Sequence, residues 1–287
     1  MPTQRGVTIA ALSWALDRLE EGERVAIASV VEARGSVPGK PGARLVISSS
    51  GSRFGTVGGA GLEMKVEEAL EKMLEEDDGL IRKTGGGVEV FLLHKDGKGK
   101  EVTALDSLCG GRVTVAMEVI SPMPHVLIAG GGHVGVSLAI VCDTLGWSHS
   151  VFDVRGEYSN EERFPDAREL ISCSVNDFIE SEDEESIGRF SDLLLLGHDW
   201  VVDEELLIGA LKLRGSSDRP RIGAIGSKTK WSAFRKSAIN SGIEEEWVDA
   251  VRCPIGLDIG ADSPEEIAVA VCAELLSIER GIKPSEC

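Results

Sequence analysis

The clearest pattern of apolar and polar positions lies in the second half of the chain. Val126-Leu127-Ile128-Ala129 is an apolar run of strand character that stops at glycines. A helix-like segment follows to Leu145, and a second short apolar run, Val151-Phe152, ends in Asp153. From there the pattern keeps alternating. Strands are predicted at 126–130, 149–153, 169–172, 192–196 and 221–225, and helices at 134–145, 203–213, 229–239 and 264–279. Strand and helix in alternation predict a parallel sheet covered on both faces. Leu193-Leu194-Leu195-Leu196 is apolar without interruption, as a central strand of such a sheet requires.

The first half reads differently. Thr8 to Leu19 has helical period, with Ile9, Leu12, Ala15, Leu16 and Leu19 on one predicted stripe. A strand is predicted at 24–31, a hairpin at 44–47 and 52–57, a helix at 62–76, and further strands at 80–83, 88–94 and 113–120, with a turn at Asp96-Gly97. Ser121-Pro122-Met123-Pro124 is the best linker, because proline removes a donor and keeps the chain extended. The expectation is an α/β protein: a small mixed α+β domain over 1–120, then a doubly wound parallel-sheet domain over 121–287. A chain of 287 residues is long enough for each half to bury its own core.

The chemistry gathers at strand ends. Gly130, Gly132 and Gly135 are spaced G-x-G-x-x-G, and Asp153 lies 23 residues after Gly130. Strand, glycines, helix, strand and acid in this order form a βαβ nucleotide-binding unit. The glycines let backbone approach a pyrophosphate, the helix start offers N–H groups, and Asp153 could accept from a ribose. In a doubly wound sheet ligands sit beyond the carboxyl ends of the strands. That rule adds His133, Arg155, His198 and the cluster Ser227, Lys228 and Lys230, all expected to converge on one crevice. Ser227 and the lysines resemble a phosphate contact, and an ordinary helix cap is the bland alternative. In the first half, Gly55-Thr56-Val57-Gly58-Gly59-Ala60-Gly61-Leu62-Glu63 is a glycine-rich turn into a helix. Its backbone could cradle an anion at Gly58 and Gly59, with Glu63 in the first helical turn. Cys109 stands before two glycines, where a ligand could come close, although a buried inert thiol fits as well. Cys142 and Cys272 fall on apolar helix stripes and are expected in the core.

Composition narrows the function classes. Lys and Arg number 30 against 48 Asp and Glu, a formal charge of −18. Such a chain repels phosphate polymers and anionic membranes, so no nucleic-acid partner is expected. No apolar run approaches the ~20 residues of a membrane span. Met1 to Ile9 has no signal-peptide core, and the six scattered cysteines lack zinc-ligand spacing. A cytoplasmic protein with free thiols is expected, without a metal site of its own. No Walker lysine, nucleophile elbow or ordered Cys–His–Asn set is present, so a carrier fits as well as an enzyme.

Together these motifs resemble the XdhC/CoxI family, accessory proteins of molybdenum hydroxylases such as xanthine dehydrogenase. The resemblance covers most of the chain. It rests on Gly35-Ser36-Val37-Pro38, on Gly55 to Glu63, on Cys109-Gly110-Gly111-Arg112-Val113, on Gly130 to Gly135, and on Asp153-Val154-Arg155 with Glu162-Arg163-Phe164-Pro165. It continues through Gly226-Ser227-Lys228-Thr229-Lys230 and Cys253-Pro254-Ile255-Gly256-Leu257. Leu108 stands where many relatives carry a second cysteine. The resemblance implies a Rossmann-like second domain and binding of the molybdenum cofactor, as molybdopterin or its dinucleotide. It also implies protection of that cofactor during sulfuration, when a sulfido ligand replaces an oxo ligand, and handover to an apo-hydroxylase. A cysteine desulfurase would be a second partner and a homodimer the assembly. The candidate cofactor-binding residues are Gly58, Gly59, Glu63, Cys109, Gly130, Gly132, His133, Gly135, Asp153, Arg155, His198, Ser227, Lys228 and Lys230. Two other classes stay open at this point: an NAD(P)-dependent oxidoreductase using the same glycine loop, and a nucleotide-sensing regulatory module.

Overall fold

The computed structural model describes residues 4–75, 85–93, 103–104 and 111–282. The chain divides into two compact units, Met1–Pro122 and Met123–Cys287.

The first unit is a mostly antiparallel sheet with helices α1 (Gln4–Glu20) and α2 (Ala60–Glu75). Its strands are β1 (Val25–Gly35), β2 (Arg44–Ser48), β3 (Arg53–Thr56), β4 (Gly85–Leu92), β5 (Thr103–Ala104) and β6 (Gly111–Ile120), in the order β3-β2-β1-β6-β4-β5. β1 is central and apolar on both sides because successive side chains point to opposite faces. Ala26, Ala28 and Val30 pack with Leu62, Val66 and Leu70 of α2, whereas Val25 and Ile27 pack with Ala11 and Ala15 of α1. The stripe expected on α1 is therefore rotated. Ala11 and Ala15 face the sheet, and Ile9, Leu12 and Leu16 are exposed. Alanines one turn apart let the helix lie close to the strands, and Trp14 stacks on Phe54 beside them. The strand expected at 80–83 and the Asp96-Gly97 turn lie outside the described residues.

The second unit is a five-stranded parallel sheet among the described residues. Its strands are β7 (His125–Ala129), β8 (Ser148–Phe152), β9 (Leu170–Ile171), β10 (Asp192–Leu195) and β11 (Arg221–Ala224), in the order β11-β10-β7-β8-β9. Its helices are α3 (His133–Leu145), α4 (Val175–Ser181), α5 (Glu184–Ile187), α6 (Trp200–Arg214), α7 (Lys228–Asn240), α8 (Glu245–Asp249) and α9 (Pro264–Glu279). Val126, Ile128, Val151 and Leu194 pack under α3 and α9. Leu127, Ala129, Phe152, Leu193 and Leu195 pack on the other face against α4, α6 and α7. This is the doubly wound arrangement the alternation predicts. Cys142 of α3 and Cys272 of α9 are buried, and the neighbouring Cys272 and burial push the Cys142 thiol far up. The acidic run Glu180 to Glu185 ends α4 and starts α5, where Asp183 and Ser186 form a capping box. Among the described residues no helix is long and apolar enough to cross a membrane.

His125 opens β7 and makes the second unit acid-sensitive. Its ring is buried, with Nε2 2.8 Å from Ser150 Oγ and its edge on Phe190. Burial first, then the Arg168 charge, lowers its pKa from 6.5 to about 4. The folded state thus needs the neutral ring, so stability is full above pH 6.5 and falls as the pH drops towards 4. The expected loss across that window is about 3 kcal/mol, at ~1.4 kcal/mol for each pH unit. Urea unfolding at stepped pH should show it, and His125→Gln should flatten the slope. An equal slope in both proteins would acquit this ring.

Candidate functional site

The strand order reverses between β7 and β10, since β7 continues to β8 on one side while β10 is reached by a later crossover. An open α/β sheet has its ligand crevice at that point. An open cleft lies there, lined by Gly130 after β7, Asp153 and Arg155 after β8, and Gly197, His198 and Asp203 after β10. Gly130, Asp153, Arg155 and His198 are thus brought together as the sequence predicts. The other expected residues are not all part of this group.

The three motif glycines have separate jobs. Gly130 has φ +123°, and a Cβ there would lie 2.8 Å from Gly197 N and Leu196 C, so the two strand ends touch. A Cβ on Gly135 would lie 2.2 Å from Gly130 O, which brings α3 tight against the loop. A Cβ on Gly132 would meet nothing within 4 Å. Gly132 is also the N-cap of α3 and provides no side-chain acceptor, so the helix start keeps its anion-binding character.

Asp153 differs from expectation. It is buried, and its carboxylate accepts from Gly131 N at 3.0 Å and from Arg155 N, Nε and Nη2 at 3.0, 2.9 and 2.9 Å. Burial alone would raise its pKa, but these donors outweigh burial and hold the carboxyl below the usual range. Arg155 in turn lies 3.8 Å from the ring centroid of Tyr158, the only tyrosine in the sequence. Arg163 approaches the same ring and donates to Gly131 O at 2.9 Å.

The cluster after β11 is also changed. Ser227 caps α7 by accepting from Lys230 N, and Lys228 is exposed. Lys230 Nζ is 2.7 Å from Asp203 Oδ2, a pair in which Asp203 is buried. Lys230 therefore neutralises an internal acid and is not an open phosphate contact. His133 borders a separate open groove between α3 and α9, with Arg163, Ile140 and Val269.

In the first unit, Gly58 and Gly59 have φ near +85° and +80°, and their Cβ positions are filled by Pro38 and Gly39. Thr56 Oγ1 donates to Glu63, and Gly58 N lies 3.3 Å from Glu63 Oε2. The glycine turn thus carries its own anion, the Glu63 carboxylate. Cys109 lies outside the described residues. Among the described residues no group of three His, Cys, Asp or Glu could hold a metal ion.

Sequence reasoning missed Gly131, Arg163 and Asp203. The Gly-Gly-Gly run and two arginines flanking a lone tyrosine were the available signals for the first two. Asp203, 27 residues from Lys230, left no local signal.

Models of the XdhC Rossmann domain and of the XdhC and CoxI family match residues 126–275 and 18–83, respectively. The chain belongs to the XdhC and CoxI family. Among curated relatives, the uncharacterized protein YqeB of Escherichia coli K12 is 29% identical over 88% of this chain and 43% of its own length. A probable xanthine dehydrogenase subunit from Bacillus subtilis 168 is 28% identical over 57% of this chain and 45% of its own length. The chain therefore spans less than half the length of the curated relatives it matches. A solved structure of a xanthine dehydrogenase from Bacillus halodurans is 19% identical, with a TM-score of 0.47, over 96% of this chain and 97% of that one.

Proposed function

We propose that this protein is a cytoplasmic accessory factor that binds the molybdenum cofactor, supports its sulfuration and delivers it to a xanthine dehydrogenase-type hydroxylase. The observation that carries the reading is the cleft at the sheet's switch point in an XdhC Rossmann domain. The cargo is a pterin bearing a phosphate or a nucleotide. The residues present suit its phosphorylated end: an α3 start without a side-chain cap, open space at Gly132, and a guanidinium at Arg155. The molybdenum is chelated by the pterin's own sulfurs, so the protein needs no ligand cluster to carry it. Its task is to bind, orient and shield. The apo-hydroxylase is the client, a cysteine desulfurase supplies sulfur, and the protein acts as a homodimer.

The test is co-expression with cofactor synthesis, followed by molybdenum analysis and mass spectrometry of released pterin. Near-stoichiometric molybdenum and pterin are expected, with both lost in Gly132→Val, whose side chain would fill the open side of the loop. NAD or NADP bound in place of pterin would overturn the reading and favour an oxidoreductase.

A further inference from the structure

We propose that Arg155 sets the class of ligand this cleft accepts: it closes Asp153 to a free ribose diol and admits a phosphate ester instead. The inference rests on the reading of the cleft as a site for phosphorylated ligands, and it deepens that reading.

In a dinucleotide site the acid after the second strand accepts hydrogen bonds from ribose hydroxyls. A carboxylate has about four acceptor positions. All four of those on Asp153 are taken, by Gly131 N and by three donors of Arg155. A ribose hydroxyl could bind Asp153 only by expelling the guanidinium. That step would exchange a two-pronged guanidinium–carboxylate ion pair for contacts from an uncharged hydroxyl, leaving the guanidinium without its counter-charge.

The guanidinium is also held against swinging away. Its Cζ lies 3.8 Å from the ring centroid of Tyr158, and Arg163, anchored on Gly131 O, approaches the same ring. Asp153 is 5% exposed, whereas the Arg155 side chain is 31% exposed and lines the cleft. The remaining N–H groups of Arg155 have no partner among the described residues. A planar guanidinium fork fits phosphate oxygens in pairs. The cleft therefore shows a cation where a diol-binding site would show an anion. Lys230 cannot supply that charge, because Asp203 holds it.

The two ligand classes are separated by ADP-ribose and 2′-phospho-ADP-ribose, which differ by one phosphate ester. Isothermal titration of the full chain should give about 10- to 100-fold tighter binding of the phosphorylated probe, the scale of a charge-assisted contact. Arg155→Ala should remove that preference while ADP-ribose binding holds or improves, because Asp153 is uncovered. Arg155→Lys should keep part of the preference and guards against a variant that does not fold. Equal affinities of the two probes for the wild-type protein would overturn the role of Arg155. If pterin still co-purifies in that case, the cofactor reading survives alone. Binding of neither probe to the wild-type protein would overturn the cleft as a nucleotide site, and this inference with it.

Discussion

Alanine at Gly131 or Gly135 is expected to destabilise the second unit severely, whereas alanine at Gly132 leaves it folded. The three residues lie within five positions of one another and look alike in the sequence. Their surroundings differ. A Cβ at position 131 would come 1.8 Å from Tyr158 O, and one at 135 would come 2.2 Å from Gly130 O. Both obstacles are backbone, which cannot rotate away as a flexible side chain would. Gly131 N also holds Asp153, so any shift there loosens the Asp153–Arg155 pair. Overpacking of this kind costs about 3 kcal/mol or more. At 135 the ~1 kcal/mol that alanine gains in helix propensity does not offset it. At 132 there is no obstacle, and the cost is that of a poorer N-cap, under about 1 kcal/mol. Urea unfolding of the three variants gives the comparison directly. Equal stabilities would mean that α3 does not lie as close to the loop as described.

The order of these effects shows what the sequence could carry. Glycine spacing, apolar runs and proline are local constraints, so β7, α3 and the position of the cleft were legible. Short helices were not. α4, α5 and α8 have seven, four and five residues, too few for a hydrophobic period to show. On α1 the period was legible but the facing side was not. Bulky Ile9, Leu12 and Leu16 mark a stripe, yet the alanines beside them allow the closer approach to the sheet. The chemistry of a charged residue was the least legible property. Asp153 and Lys230 were placed at the right strand ends, but their partners decide what they can do. Arg155 is two residues from Asp153 and its guanidinium could reach back from there. Asp203 meets Lys230 only because α6 and α7 pack on the same face of the sheet.

Removing the Lys230 charge is therefore expected to act on stability before it acts on ligands. Lys230→Met leaves Asp203, 2% exposed, without its counter-charge. Its Oδ2 then loses a 2.7 Å ion pair, and the Gly197 N–H remains as a donor. Breaking one side of a buried pair costs about 3 kcal/mol, because the surviving charge stays desolvated. The pH dependence identifies the cause. Burial already raises the Asp203 carboxyl above its ordinary value, and Lys230 pulls it back. Without the lysine it rises further. A raised folded-state pKa favours the native state at low pH, and that stability is lost as the pH climbs through the raised value. Lys230→Met should thus be weakest at neutral pH and recover as Asp203 takes up a proton. Asp203→Asn in the same background should recover most of the loss at pH 7, since the amide carries no charge to strand. Lys228→Ala should change stability little, because Lys228 is exposed. Urea unfolding of the four proteins at pH 7 and pH 5 measures all of this. A Lys230→Met protein as stable as wild type at pH 7 would return Lys230 to the role of a solvated cation at a helix start, open to phosphate after all.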